Sequence, residues 1–135
     1  MRAVLDVNVL VSALISRSGA PAELLRRWLG GGFELVVSEQ LLDELERTLA
    51  YPKLLARIDP DSAEAFVELL RRRALRAPDP SGAAAARTRD AGDEYLLRLA
   101  ESQQAYLVSG DAHLLELAGT QPVRAPRAFL DVLGD

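Results

Sequence analysis

The sequence predicts an α/β fold in three α/β/α layers, with a short, mainly parallel central sheet covered by helices on both faces. Two observations lead there. Short apolar runs near residues 3–5, 33–37 and 106–109 alternate with longer segments that repeat their apolar residues at helical spacing, the pattern of strand–helix units rather than hairpins. The strands are also too short and too apolar to have a solvated face, as expected when helices cover both sides. A third observation sets the organisation: neither an internal repeat nor a composition shift divides the chain, so residues 1–135 form a single domain.

Residues 3–5 read as the first buried strand and residues 9–15 as the helix that follows. Ser18-Gly19-Ala20 is a loop, and Pro21 suits the first turn of a second helix that ends at Gly30-Gly31-Gly32. Residues 33–37 are β-like, and Ser38 can cap a third helix running to about Ala50. Tyr51-Pro52 stops it, because the residue before proline is pushed away from helical geometry. Asp59-Pro60 opens a helix through Arg73. Residues 78–88, PDPSGAAAART, form the least structured stretch, a loop close to the longest that a compact domain accommodates. Asp90 caps a helix through Gln103, residues 106–109 form another apolar strand, and Asp111 starts a helix ending near Gly119. Residues 123–125 fit an edge strand, and Pro126 opens the last helix.

Composition narrows the function classes. At 135 residues and 49% hydrophobic content the chain can fill one core, burying roughly two-thirds of its unfolded surface. No apolar run approaches the roughly 18 residues of a membrane span, and the first residues turn acidic too quickly for a signal peptide, so a cytoplasmic protein with no membrane partner is expected. Without cysteine there are neither disulfides nor thiolate metal sites, and a metal would sit on oxygen ligands or on His113. A net charge of −4 runs against a generic nucleic-acid binder. Lys53 is the only lysine, and the arginines cluster at Arg71, Arg72, Arg73 and Arg76, which reads first as a solvated helix face.

The acids raise a sharper question. VLDVNVLVSALI, residues 4–15, embeds Asp6 and Asn8 in an apolar run, although a buried, unpaired carboxylate costs several kcal/mol or protonates. In a parallel sheet, sites form where the carboxyl ends of strands meet the following loops. Asp6 falls at such an end and Asp111 at another, after YLVSG. Taken singly, each would cap its following helix; taken together, with Asn8 beside the first, they point to a site. Asp93 faces inward with Leu96, Leu97 and Ala100 at 100° per residue, whereas Glu94 points elsewhere, and an acid in a first helical turn also meets the helix dipole favourably. In the helix after Ser38, Glu39, Glu44 and Glu46 all flank the apolar stripe Leu41, Leu42, Leu45 and Leu49, and angle does not choose among them. Asp43 points away.

The strings VLDVNVLVSALIS, VSEQLLDELERTL, RDAGDEYLLRLA and YLVSGDAHLLEL, in that order and with those gaps, resemble the PIN-domain family. Within it the chain is most similar to the toxins of bacterial and archaeal toxin–antitoxin pairs, the group that includes VapC-like ribonucleases, down to the ending PRAFLDVL. The resemblance implies a metal-dependent endoribonuclease that hydrolyses RNA phosphodiesters, using Mg²⁺ or Mn²⁺ on acids at the carboxyl edge of the sheet. Asp6 matches the acid after the first strand, and Asn8 the small polar residue supporting it. Glu44 matches the helix glutamate, Asp93 the acid starting the long helix, Asp111 the acid of the T/S-x-D motif, and Ser109 its hydroxyl. Where many members carry a second aspartate, this chain has His113, read as a surface histidine. The resemblance also implies a cognate antitoxin protein and a homodimer, for which the helix from Pro21 to Leu29 could supply apolar surface, with Trp28 either part of it or a plain core residue. Arg17, Arg87 and Arg89 are the candidates for gripping RNA phosphates. The alternative is a non-catalytic module of the same fold that binds RNA or a partner protein. A phosphatase or receiver-like acid pocket would want a second acid at Asn8 and a well-placed lysine, and Lys53 is badly placed for that.

Overall fold

A computed structural model describes residues 1–80 and 91–134, with the side chains of residues 91–93 outside that description. The elements run β1 (Arg2–Leu5), α1 (Val7–Ile15), α2 (Ala20–Leu29), β2 (Glu34–Val37), α3 (Glu39–Leu49), α4 (Pro52–Leu55), α5 (Pro60–Arg73), β3 (Leu75–Arg76), α6 (Ala91–Ser102), β4 (Tyr106–Val108), α7 (Ala112–Leu115), β5 (Val123–Arg124) and α8 (Pro126–Leu133). All paired strands are parallel, in the order β3-β2-β1-β4-β5.

The strand side chains show why the sheet is internal. Successive residues of a strand point to opposite faces, yet Ala3, Val4 and Leu5 of β1 are all fully buried, as are Leu35, Val36 and Val37 of β2. Both faces are therefore covered, as the unbroken apolar runs predicted. The edge strands β3 and β5 have two residues each, short enough to offer little template for pairing with another chain.

Most helices begin where the sequence signals them. Ser38 accepts a hydrogen bond from the Leu41 amide at 3.3 Å and Asp59 one from the Ser62 amide at 3.3 Å, each satisfying a donor that the helix leaves open. α8 starts on Pro126 and sends Phe129 into the core, edge-on to Phe33 with ring centroids 5.4 Å apart and tilted against Tyr106 at 5.3 Å.

Several expectations are corrected. Pro52 does end α3, but its fixed φ also suits a helical first turn, and α4 starts on it. β3 was not expected, since Leu75–Arg76 is too short to show a period; it pairs with β2, and the Ala77 amide continues the ladder to the Val37 carbonyl at 2.8 Å. α7 stops at Leu115, because the amides of Leu117, Ala118 and Thr120 bond to carbonyls three residues back, the tighter winding that ends helices. Trp28 lies in the core, 7% exposed, so it offers no surface to a second copy. The arginine cluster is not a bare solvated face: Arg71 bridges Glu39 and Glu46 at 2.8 and 2.7 Å, joining α5 to α3, and Arg76 lies 3.9 Å from Glu39. Residues 81–88 of the expected loop, and Asp90 as the expected cap, lie outside the described residues. No helix among the described residues is long and apolar enough to cross a membrane.

Candidate active site

From β1 the sheet grows one way through β2 and β3 and the other way through β4 and β5. That reversal leaves a crevice at the carboxyl ends of β1 and β4, where open parallel sheets bind ligands. Register decides which residues meet there. Leu5 pairs with Val108, so the next residues on the two strands, Asp6 and Ser109, face one another. The Asp6 amide donates to the Val108 carbonyl at 2.9 Å, and the Ser109 hydroxyl donates to Asp6 Oδ2 at 2.7 Å. Ser109, fully buried, also accepts from the Asp111 amide at 3.0 Å. One hydroxyl thus ties the two strand-end acids together.

The two acids have different local duties. The Asp6 carbonyl accepts the first amides of α1, but its carboxylate makes no capping bond and turns to Ser109 instead. Asp111 does cap, its Oδ1 accepting from the His113 amide at 2.8 Å. Each carboxylate is left with one oxygen that makes no hydrogen bond among the described residues, Oδ1 of Asp6 and Oδ2 of Asp111. The support expected of Asn8 comes from Ser109; Asn8 itself is exposed in the first turn of α1.

α3 presents the acids that angle did not separate. Glu39 and Glu46 are engaged by Arg71, whereas Glu44 is half-buried and has interactions of its own. α6 packs on β1 and β4, and its first turn carries Asp93, whose side chain lies outside the described residues. Glu94, expected to point elsewhere, is buried at 9% exposure with Leu96, Leu97, Leu99 and Ala100; the helix is covered over a wider arc than a single apolar stripe. Arg17 is exposed, and its carbonyl accepts from Arg26 on α2 at 3.1 Å. Arg87 and Arg89 lie outside the described residues. His113 is exposed, as expected.

A second polar group was missed in the sequence. The Tyr95 hydroxyl of α6 is hydrogen-bonded to Ser38 and donates to Asp79 at 2.8 Å. Asp79 also accepts from the Gln40 amide at 3.3 Å. Burial alone would raise the Asp79 carboxyl, but the neighbouring hydroxyls of Ser38 and Tyr95 and the Gln40 amide outweigh it and hold the group below the ordinary carboxylate range. Burial, with the Asp79 carboxylate nearby, pushes the Tyr95 phenol above its ordinary value. Ser38 was legible as a cap, but nothing in PDP marks Asp79 as its neighbour.

The donors at the crevice are oxygens, which suit Mg²⁺ or Mn²⁺. Among the described residues no three acidic or histidine side chains group closely enough to hold a metal. The open oxygens of Asp6 and Asp111 fit such an ion as part of a set.

Comparisons with known proteins agree with the fold. The crystal structure of PAE2754 from Pyrobaculum aerophilum superposes with a TM-score of 0.68 at 19% identity, over 98% of this chain and 89% of that one. VapBC2 from Rickettsia felis, bound to a DNA fragment from their promoter, gives 0.60 at 13% identity, over 93% and 97%. No curated protein matches in sequence. A family model described as PIN domain matches residues 2–113, a span from β1 through the Ser109–Asp111 turn; PIN domains are generally nucleases and generally use divalent metals. With that span matched over most of its length, the chain belongs to the PIN-domain family.

Proposed function

We propose that the chain is a metal-dependent endoribonuclease, the toxin of a toxin–antitoxin pair. The observation that carries the reading is the Asp6 carboxylate, held by Ser109 beside Asp111 at the strand-order reversal and not used as a helix cap. Asp6, Glu44, Asp93 and Asp111 would hold Mg²⁺ or Mn²⁺. Among the α3 acids, Glu44 is the one that the family resemblance picks out.

Such an ion would supply acidification of water and compensation of the charge that develops on the phosphoryl oxygens. The chain's own residues do the rest. Ser109 fixes the rotamer of Asp6 and, through the Asp111 amide, the turn that carries Asp111. Glu44 or Asp93 orients the attacking water and takes its proton. Water attacks phosphorus as the bond to the leaving ribose oxygen breaks, and that oxygen takes a proton from solvent. Arg17, Arg87 and Arg89 would meet the RNA phosphates, which the net charge of −4 would otherwise repel.

The VapBC2 assembly, bound to DNA from its promoter, supports a cognate antitoxin as partner, and a homodimer follows from the family resemblance. A non-catalytic module that binds RNA or protein is the second reading, favoured by the lack of a three-ligand cluster among the described residues. Cleavage of labelled single-stranded RNA separates the two. The enzyme degrades it with Mn²⁺, stops with chelator, and is silenced by Asp6→Asn. RNA left intact by the wild type under all these conditions would leave the binding module.

A further inference from the structure

We infer that Tyr95 and Asp79, with Ser38, form a clasp that sets the spacing between α3 and α6 and so acts as a positioning device for the acids those helices carry. The inference rests on the proposed roles of Glu44 and Asp93.

Tyr95 lies two residues after Asp93, near the start of α6, where helix ends leave backbone amides unsatisfied and fray. From there its phenol crosses to the carboxyl end of β2. It meets Ser38, the residue that caps α3, and Asp79, in the segment after β3. The hydrogen-bond directions are consistent throughout. Ser38 accepts from the Leu41 amide and is left to donate to the Tyr95 oxygen; Tyr95 then donates to Asp79, which also receives the Gln40 amide. The chain of donors ends on a carboxylate, which strengthens its last link. A phenol is rigid and turns about only two torsions, so a ring fixed at its tip also fixes the backbone beneath it. Glu44 follows the capped turn of α3, and Asp93 precedes Tyr95 by two residues on the same helix. The clasp therefore joins two helices that must each present an acid to one crevice. Among the described residues the clasp makes no hydrogen bond to Asp6 or Asp111, which makes its members positioning rather than catalytic residues.

The test compares wild type with Tyr95→Phe, Asp79→Ala, the double variant and Asp79→Asn. Tyr95→Phe keeps the ring and loses the tip. It should weaken Mn²⁺ binding, read by calorimetry, and lower kcat on RNA by about tenfold, the low end for residues that orient ligands, with KM within about twofold. Asp79→Ala should do the same and the double variant no worse than either, since both cut one link. Asp79→Asn, whose amide oxygen still accepts, should restore both readouts. Unchanged Mn²⁺ affinity and kcat in Tyr95→Phe, or additive losses in the double variant, would overturn the clasp. Should the wild type neither bind Mn²⁺ nor cleave RNA, the nuclease reading fails by itself. The clasp is then judged by hydrogen exchange in residues 94–98: faster exchange in Tyr95→Phe supports it, and unchanged exchange overturns it.

Discussion

Ser109 is the residue whose chemistry is most constrained. It is fully buried, its proton committed to Asp6 and its lone pair to the Asp111 amide. Ser109→Ala leaves both partners short, at about 1–3 kcal/mol of stability by the usual cost of an unmatched buried polar group. Cleavage should fall about 10–100-fold, as when a group that orients a metal ligand is lost. Ser109→Thr keeps the hydroxyl and should keep most activity; urea melts and RNA cleavage rates check both. Asp111 separates structure from chemistry more cleanly. Its capping oxygen serves α7, and asparagine caps about as well as aspartate. Asp111→Asn should leave the metal-free melting temperature nearly unchanged while removing the stabilisation that Mn²⁺ gives by binding the folded state. An Mn²⁺ response left intact in Asp111→Asn would make Asp111 a structural cap only.

At the scale of elements, the helices are joined to the sheet by apolar packing and to one another by a few charged contacts. Phe129 of α8 is fully buried against Phe33 and Tyr106, so Phe129→Ala should cost about 3–5 kcal/mol, read from a denaturant midpoint. The contact between Asp79 and the start of α3 responds to pH. Its carboxyl titrates lower in the folded chain than the roughly 3.9 of an unfolded aspartate. The contact therefore stabilises above that value and is lost as pH falls through the lower, folded pKa. Asp79→Asn should be less stable than wild type at neutral pH, with the gap closing as acidification passes below the ordinary aspartate range. Urea midpoints at a series of pH values test the sign; a gap that widens in acid would contradict it.

At the scale of the molecule, the strand order brings the ends of β1 and β4 side by side and leaves a crevice between the helices that follow them. The proposed site acids and the net charge of −4 both repel phosphate, so RNA binding depends on the metal and a few arginines. Affinity for a labelled oligonucleotide should fall with added salt along a shallow slope, one to three phosphate contacts by the relation of about −0.7 per contact for single strands. A slope steeper than about six contacts would reveal a basic surface that these residues do not supply. Light scattering tests the proposed homodimer, whose interface would be built without Trp28.

The sequence by itself determined the class of fold, the strand-end acids and most helix starts, because apolar period, proline and capping residues act within a few positions of where they stand. It placed Asp6, Ser109 and Asp111 at strand ends for the same reason. Resemblance, and not helical angle, singled out Glu44. What only the tertiary structure decided lies far apart in the chain. The Leu5–Val108 register sets Ser109 against Asp6, the two-residue strand β3 exists only because β2 pairs with it, and Tyr95 finds Ser38 and Asp79. Such contacts leave no local period or spacing to read, because they are selected by how the layers pack and not by the preferences of neighbouring residues.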